Sequence, residues 1–166
     1  MLEKNKLKIR KFKSSDLDAV RDLIHKTIDI NYPRVYSAEA IKYFKDYHNN
    51  KNILKAAKEG YTVVLEKGNR LIGTATLIDG YITRVFVNPE FQKQGLGKLL
   101  MKKLEAKALL AGIRTVKLDS SLPAKKFYDS LDYKTIKKTF VKVENGKKLD
   151  YYKMEKRLRP LKETER

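Results

Sequence analysis

Tyr81-Ile82-Thr83-Arg84-Val85-Phe86-Val87-Asn88-Pro89-Glu90-Phe91-Gln92-Lys93-Gln94-Gly95-Leu96-Gly97-Lys98 is the stretch from which the rest of the chain can be ordered. Tyr81 to Val87 reads as a strand, Asn88-Pro89 as a turn, Gln92 to Gly97 as a loop, and a helix opens at Lys98 and runs to Ala111. Two glycines at the mouth of a helix let backbone N–H groups converge on one small volume, and the helix N-terminus adds roughly half a positive charge there. Such a nest suits a pyrophosphate, and Lys93 and Lys98 flank it with basic side chains.

Spacing separates three phosphate-binding readings. A P-loop needs a glycine where Gln92 stands and a Ser or Thr where Leu99 stands, so it fails. A dinucleotide fingerprint fits Gly95 and Gly97, with Asp119 about 20 residues on, but lacks its third glycine at Leu100 and does not follow its strand directly. The pattern Gln/Arg-x-x-Gly-x-Gly/Ala after a Val-x-Pro strand end is met in full by Gln92, Gly95 and Gly97 after Val87-Asn88-Pro89. On these residues the chain resembles the GNAT superfamily of acyl-CoA-dependent N-acyltransferases, in which this loop holds the pyrophosphate of acetyl-CoA.

The remaining chain is consistent with that resemblance. Lys6 to Phe12 reads as a first strand, and Ser14-Ser15-Asp16 offers an N-cap to a helix carrying Leu17, Val20, Ile24 and Ile28 on one face. Pro33 stops that helix near Asn31, Ser37 begins a second with Ile41, Phe44 and His48 turned inward, and Ile53 to Lys58 is a further helical segment. Tyr61 to Glu66, Leu71 to Ile78 and Tyr81 to Val87 form a meander through turns at Lys67-Gly68-Asn69 and Asp79-Gly80. After the glycine loop, Leu96, Leu100, Leu104 and Ala108 make one apolar stripe, closed by Gly112. Thr115 to Ser120 is a strand parallel to Tyr81–Val87, Pro123 starts a short helix reaching Leu131, and Tyr133 to Val143 pairs with Lys148 to Arg157 across Asn145-Gly146.

The order β, α, α, β-β-β, α, β, α, β-β is that of a GNAT-like α/β fold: a central mixed, mostly antiparallel sheet flanked by helices. It covers residues 6 to 158 of a single domain, with a frayed tail over 161–166. A second landmark supports it. Ser121-x-x-Ala124-x-x-Phe127-Tyr128-x-x-x-Asp132-Tyr133 resembles the family's Asn/Ser-x-x-Ala-x-x-Phe/Leu-Tyr-x-x-x-Gly-Phe, with Asp132 in the glycine position, where Asp tolerates a left-handed backbone.

The resemblance implies an N-acetyltransferase that moves the acetyl group of acetyl-CoA to a primary amine by direct attack in a ternary complex. The absence of cysteine removes any acyl-cysteine relay, thiolate metal site or disulfide framework. Tyr128 takes the general-acid position, and a backbone N–H at Val87 the oxyanion-donor position. Phe86, Val87, Gln92, Lys93, Gln94, Gly95, Leu96, Gly97, Lys98, Ser121, Lys125, Phe127 and Tyr128 are implied to hold acetyl-CoA as co-substrate, with no metal. Tyr32, Arg34 and Tyr36 are implied to shape the acceptor pocket, whereas His25 and His48 lie on helices that do not reach the cleft in the family fold. The strand before the loop lacks the glutamate base that many relatives carry, which leaves Asp79, Glu90, Asp119 or ordered water.

The net charge of +18 admits an anionic partner, but 29 of the 38 basic residues are lysines spread through nearly every segment and only 9 are arginines. That pattern fits a solvated surface rather than a dedicated nucleic-acid face, and its field still attracts CoA. No apolar run approaches the roughly 20 residues of a membrane span, and Met1 to Lys8 has no signal-peptide core, so a cytoplasmic protein, monomeric or homodimeric, is expected. The alternatives are a catalytically silent CoA-binding sensor and a nucleic-acid-associated basic module.

Overall fold

The computed structural model describes residues 6–160, so the tail expected over 161–166 lies outside the described residues. Seven strands form one sheet in the order β1-β2-β3-β4-β5-β7-β6. These are β1 (Leu7–Lys11), β2 (Tyr61–Lys67), β3 (Arg70–Ile78), β4 (Tyr81–Val87), β5 (Thr115–Ser121), β6 (Lys134–Lys142) and β7 (Lys148–Arg157). Every neighbouring pair is antiparallel except β4 and β5, whose connection through a helix makes them parallel. The C-terminal hairpin inserts β7 between β5 and β6, and Asn145 and Gly146 both take positive φ (57° and 68°), as a tight Asn-Gly turn requires.

The helices are α1 (Leu17–Asn31), α2 (Ala38–Tyr47), α3 (Asn50–Glu59), α4 (Leu96–Leu110) and α5 (Lys125–Ser130). Alternation along β2 divides the core into two layers. Val63 and Leu65 pack with the α4 stripe (Leu96, Leu100, Leu104, Ala108), while Val64 packs with Val20, Ile24 and Ile28 of α1. Gly73 is needed where α4 crosses β3, because an added Cβ would meet Leu100 Cδ1 and Leu65 Cβ at 3.2 Å.

Local physics moves several boundaries. The helix after the glycine loop starts at Leu96, two residues earlier than expected, because Gly95 takes φ 79° and serves as its N-cap. The short helix starts at Lys125 rather than at Pro123, and the third helix extends to Asn50, capped by the Asn49 side chain accepting from Asn52 N–H. Ser14 to Asp16 is a 3₁₀ turn, and Asp16 does more than cap it. Its carboxylate accepts from Lys13 N–H at 2.8 Å and from both terminal nitrogens of Arg10 at 2.8 Å, while Arg10 also reaches Glu66 at 2.7 Å.

This half-buried cluster ties β1, β2 and the entry to α1 together, and the hydrogen bonds from Arg10 hold the Asp16 carboxyl below the usual carboxylate range. A carboxyl depressed in the folded state stabilises the fold above its unfolded pKa of about 3.9, and that contribution is lost as pH falls through the lower folded value. Asp16→Asn should therefore cost about 1–3 kcal/mol at neutral pH, measured by urea denaturation. The difference from the parent protein should shrink below about pH 4.

Candidate active site

The parallel partners β4 and β5 stay together for two residue pairs only, Tyr81 with Lys117 and Ile82 with Leu118. Beyond that point they splay. A β-bulge accompanies the divergence: Thr76 of β3 faces Thr83, but Thr74 faces Phe86, so β4 holds an extra residue. The insertion reverses the facing of the strand. Ile82 packs on the α4 side, and so do Val85 and Val87, although an even spacing from Ile82 would have put them on the other face. Phe86 is turned to the α1 side, and Arg84, with φ 53°, is the displaced residue.

Two cavities, of about 520 and 220 Å³, open from the gap. They share a wall made by Tyr32, Val85, Phe86, Ser121, Ala124 and Tyr128.

The larger cavity runs from that wall to the glycine loop. Gln92 closes the loop: its Nε2 donates to the Val87 carbonyl at 2.9 Å and its Oε1 accepts from Asn31 Nδ2 at 3.3 Å. Lys93 and Gly95 take positive φ (63° and 79°), turning successive peptide groups toward one concavity. The first helical bond of α4 is Leu99 N–H to Gly95 C=O at 3.2 Å, so the N–H groups of Leu96, Gly97 and Lys98 have no acceptor within the helix. Gly97 also serves packing: a Cβ there would stand 2.9 Å from Cζ of Phe127. A free cluster of N–H groups beside an elongated, largely apolar cavity fits a pyrophosphate with a pantetheine arm.

Of the residues implied to hold acetyl-CoA, Phe86, Val87, Gln92, Lys93, Gly95, Leu96, Gly97, Lys98, Ser121, Phe127 and Tyr128 line this cavity. Gln94 and Lys125 do not. Gln94 is exposed on the loop, and the Lys125 ammonium pairs with Asp129 at 2.8 Å and sits 5.3 Å from the Tyr152 ring. Thr27 and Asn31 of α1 also line it, a contribution that no motif in the first helix signals.

The wall between the cavities carries the reactive candidates. Asn88 N–H donates to Ile72 C=O at 2.8 Å, which makes Asn88 and Ile72 a hydrogen-bonded pair. The adjacent pair, Val87 with Gly73, is therefore of the non-hydrogen-bonded kind, and the peptide groups of Val87 turn away from β3 into the gap. Tyr128 stands on α5, held by its N–H to Ala124 C=O at 3.2 Å and by Tyr133 N–H to its own carbonyl at 3.1 Å. Asp132, at φ 68°, makes the tight turn between them. Burial pushes the Tyr128 phenol above its ordinary range, so it keeps its proton through neutral pH. Ser121 lines both cavities, and its carbonyl accepts from the N–H of Ala124, the N-cap of α5, at 3.2 Å.

The smaller cavity differs from the expected acceptor pocket. Tyr32 lines it, but Arg34 and Tyr36 line neither cavity. Arg34 is exposed on the turn after α1. Tyr36 is a tie: its hydroxyl accepts from Leu122 N–H at 2.8 Å and donates to Asp150 C=O at 2.7 Å. His48, expected to stay clear of the cleft, lines the smaller cavity, because α2 ends at Tyr47 directly over β4 and brings the His48 ring 5.3 Å from Phe86. Burial first, then Arg84 and His25, pushes His48 down to about 3, so it is neutral at physiological pH. His25 Nε2 donates to the His48 carbonyl at 2.9 Å and does not line the cavity.

Among the carboxylates considered as bases, Asp119 alone lines the smaller cavity. Glu90 is paired outside the cavities with Arg70 at 3.0 Å and Lys26 at 3.4 Å, and Asp79 sits in the β3–β4 turn at φ 46°. The described residues contain no His, Cys, Asp or Glu cluster suited to a metal, and no helix long and apolar enough to cross a membrane.

Known proteins give the same picture. The sequence profile of a family described as "Acetyltransferase (GNAT) domain" matches residues 33–158. An uncharacterized N-acetyltransferase of Escherichia coli K12, YafP, is 22% identical over 148 residues, covering 89% of this chain and 95% of its own. Among solved structures, a GCN5-related N-acetyltransferase from Rhodopseudomonas palustris superposes with a TM-score of 0.85 at 20% identity, covering 93% of this chain and 97% of that one. The PaiA N-acetyltransferase of Thermoplasma acidophilum, solved with coenzyme A, gives 0.71 at 18% identity, covering 92% and 99%. With a family match over about three-quarters of its length, on a sheet that splays beside a glycine-loop nest, this chain belongs to the GNAT family and is an acetyl-CoA-dependent N-acetyltransferase.

Proposed function

We propose that acetyl-CoA occupies the larger cavity and a primary amine the smaller one, and that transfer takes place at their shared wall. The observation that carries this reading is the wall itself: two cavities meet at Tyr128, each lined by different chemistry. Acetyl-CoA supplies the acetyl group as a thioester, and the amine nitrogen forms its bond to the carbonyl carbon as the carbon–sulfur bond breaks. The N–H of Val87 stabilises the charge that develops on the carbonyl oxygen. Tyr128 gives its proton to the departing sulfur, and Asp119, directly or through water, collects the proton lost by the amine. The N–H groups of Leu96, Gly97 and Lys98 hold the pyrophosphate. A silent sensor would bind acetyl-CoA and release no thiol, and a nucleic-acid module would ignore acetyl-CoA, so release of free CoA thiol with an amine panel separates the readings.

Two predictions follow from these roles. Gly97→Val should drive the Phe127 ring toward the cavity and crowd the loop, lowering acetyl-CoA affinity by more than 10-fold in titration calorimetry. Lys98→Ala should cost less, because an exposed charge is screened by salt. Unchanged affinity in a folded Gly97→Val protein would remove the loop from the site.

Tyr128→Phe keeps the ring and its packing but removes the donor. A thiol's pKa of about 8.5 makes thiolate a fair leaving group, and a phenol raised by burial is a weak acid, so the loss should sit at the low end of general-acid effects. We expect kcat to fall about 10–100-fold with acetyl-CoA affinity nearly unchanged, and the deficit to narrow with an acyl donor of more acidic thiol. An unchanged kcat with a chemistry-limited acceptor would make Tyr128 structural.

A further inference from the structure

Among the described residues, two side-chain polar atoms are buried without a hydrogen-bond partner, Arg84 Nε and His48 Nδ1. Both residues line the smaller cavity. Elsewhere, buried polar side chains are satisfied: Thr62 and Thr76 bond each other at 2.8 Å, Thr74 donates to Val63 C=O at 3.0 Å, and Thr27 to Leu23 C=O at 2.7 Å. Incomplete hydrogen bonding is therefore a local property of this cavity.

Arg84 stands out on three further counts. It is the residue displaced by the β-bulge, with φ 53°, a backbone conformation that a long side chain rarely adopts. Among the described residues no carboxylate lies within 4.0 Å of its guanidinium, although Asp119 lines the same cavity and is engaged with Lys153 at 4.0 Å. The Tyr47 ring, 5.4 Å from the guanidinium carbon, offsets part of the cost of burying the charge but satisfies no N–H. A planar, permanently charged donor fork held in a cleft without an anion is complementary to a carboxylate.

We infer that the acceptor is a small amine that also carries a carboxylate, an amino acid or similar amino-carboxylic acid, and that Arg84 anchors its carboxylate. The inference rests on the smaller cavity being the acceptor site. Asp119 gives the cavity a negative group for the amine end, while Arg84 gives a positive one for the acid end, so a zwitterion is matched at both. A polyamine would bring further ammonium groups against an unneutralised guanidinium, which the enclosed setting penalises. The volume of about 220 Å³ suits a small molecule.

The test pairs a panel of free amino acids and other amino-carboxylic acids with their amides and with simple diamines and polyamines, read by release of CoA thiol. Acetyl-CoA affinity is measured separately by calorimetry on the same protein. The parent protein should prefer acids over the matching amides, and Arg84→Gln should raise KM for the acids by about 10–100-fold, bringing acid and amide close together. Arg84→Lys should recover part of the preference. Acetyl-CoA affinity of both variants should match the parent's. Arg84→Asn, which suits the left-handed backbone better, should melt no lower than the parent while losing the acid preference; an arginine with a purely structural role would melt lower when replaced. Turnover confined to amides and polyamines, equal turnover of acids and amides, or no turnover of any acid while acetyl-CoA binds would overturn the assignment. Failure of acetyl-CoA to bind would instead strike the proposed function.

Discussion

One extra residue between Ile82 and Phe86 lets β4 leave its neighbour, and the active-site architecture follows from that slip. The bulge lies just past Ile82 and Leu118, the last pair that β4 shares with β5, where the cleft opens. With the bulge, the pairing stops after two rungs, the unpaired edge of β4 faces open space, and the α1-side and α4-side layers of the core come within reach of one gap. A broken ladder normally leaves orphan backbone groups, a cost of roughly 1–3 kcal/mol for each one buried. Here the Val87 carbonyl is met by Gln92, whose other amide end is met by Asn31 of α1. The N–H of the same residue points away from β3, as its place in a non-hydrogen-bonded pair requires. The conspicuous glutamine of the loop pattern thus acts first as a clamp between the sheet edge, the loop and the first helix.

The glycine loop divides its labour in the same way. Gly95 stands in open space with φ 79°, so it is there for backbone freedom, whereas Gly97 has an ordinary φ and is there for the Phe127 ring against it. Phe127 in turn precedes Tyr128, whose ring lies 5.8 Å from Tyr133 in an edge contact. Tyr133 donates to Glu105 of α4 at 2.9 Å, and Lys156 of β7 meets the same carboxylate at 3.0 Å. Loop, short helix and final hairpin are therefore one packed unit, and the position of the Tyr128 hydroxyl depends on α4 as much as on its own helix.

How much of this the sequence disclosed follows from how local each signal is. The succession of elements along the chain, the parallel crossover, the Asn-Gly hairpin and the left-handed Asp132 are each signalled by a few adjacent residues and are legible, whereas the place of β7 between β5 and β6 is not. The bulge was not, because Thr83-Arg84-Val85-Phe86 alternates like any strand and the extra residue shows only against β3. His48 and Arg84 were missed for that reason: their places depend on where α2 ends above β4 and on which way a slipped strand turns its side chains. Arg34 and Tyr36 were drawn to the pocket by being a basic and aromatic pair in the right loop. Sequence position could not show that Arg34 faces solvent, nor that Tyr36 spends both hydrogen bonds of its hydroxyl on the backbone of Leu122 and Asp150.

Stability and function meet at the same few atoms. A domain holds only about 5–15 kcal/mol in reserve, so a positive φ at arginine and two unpartnered buried nitrogens are a sizeable burden in one place. The rest of the molecule carries it with a well-satisfied frame, from the Arg10–Asp16–Glu66 cluster at one edge of the sheet to Glu105 at the α4–β7 contact. Aromatic and aliphatic side chains from Tyr43, Phe44, Tyr47 and Leu149 make up much of the wall of the cavity that both residues line. By linkage, a molecule that completes those hydrogen bonds binds the folded state alone and adds to its stability. The strained Arg84 is followed directly by Val85 and Phe86, which belong to the wall between the two cavities, so the bulge and the wall are one stretch of chain.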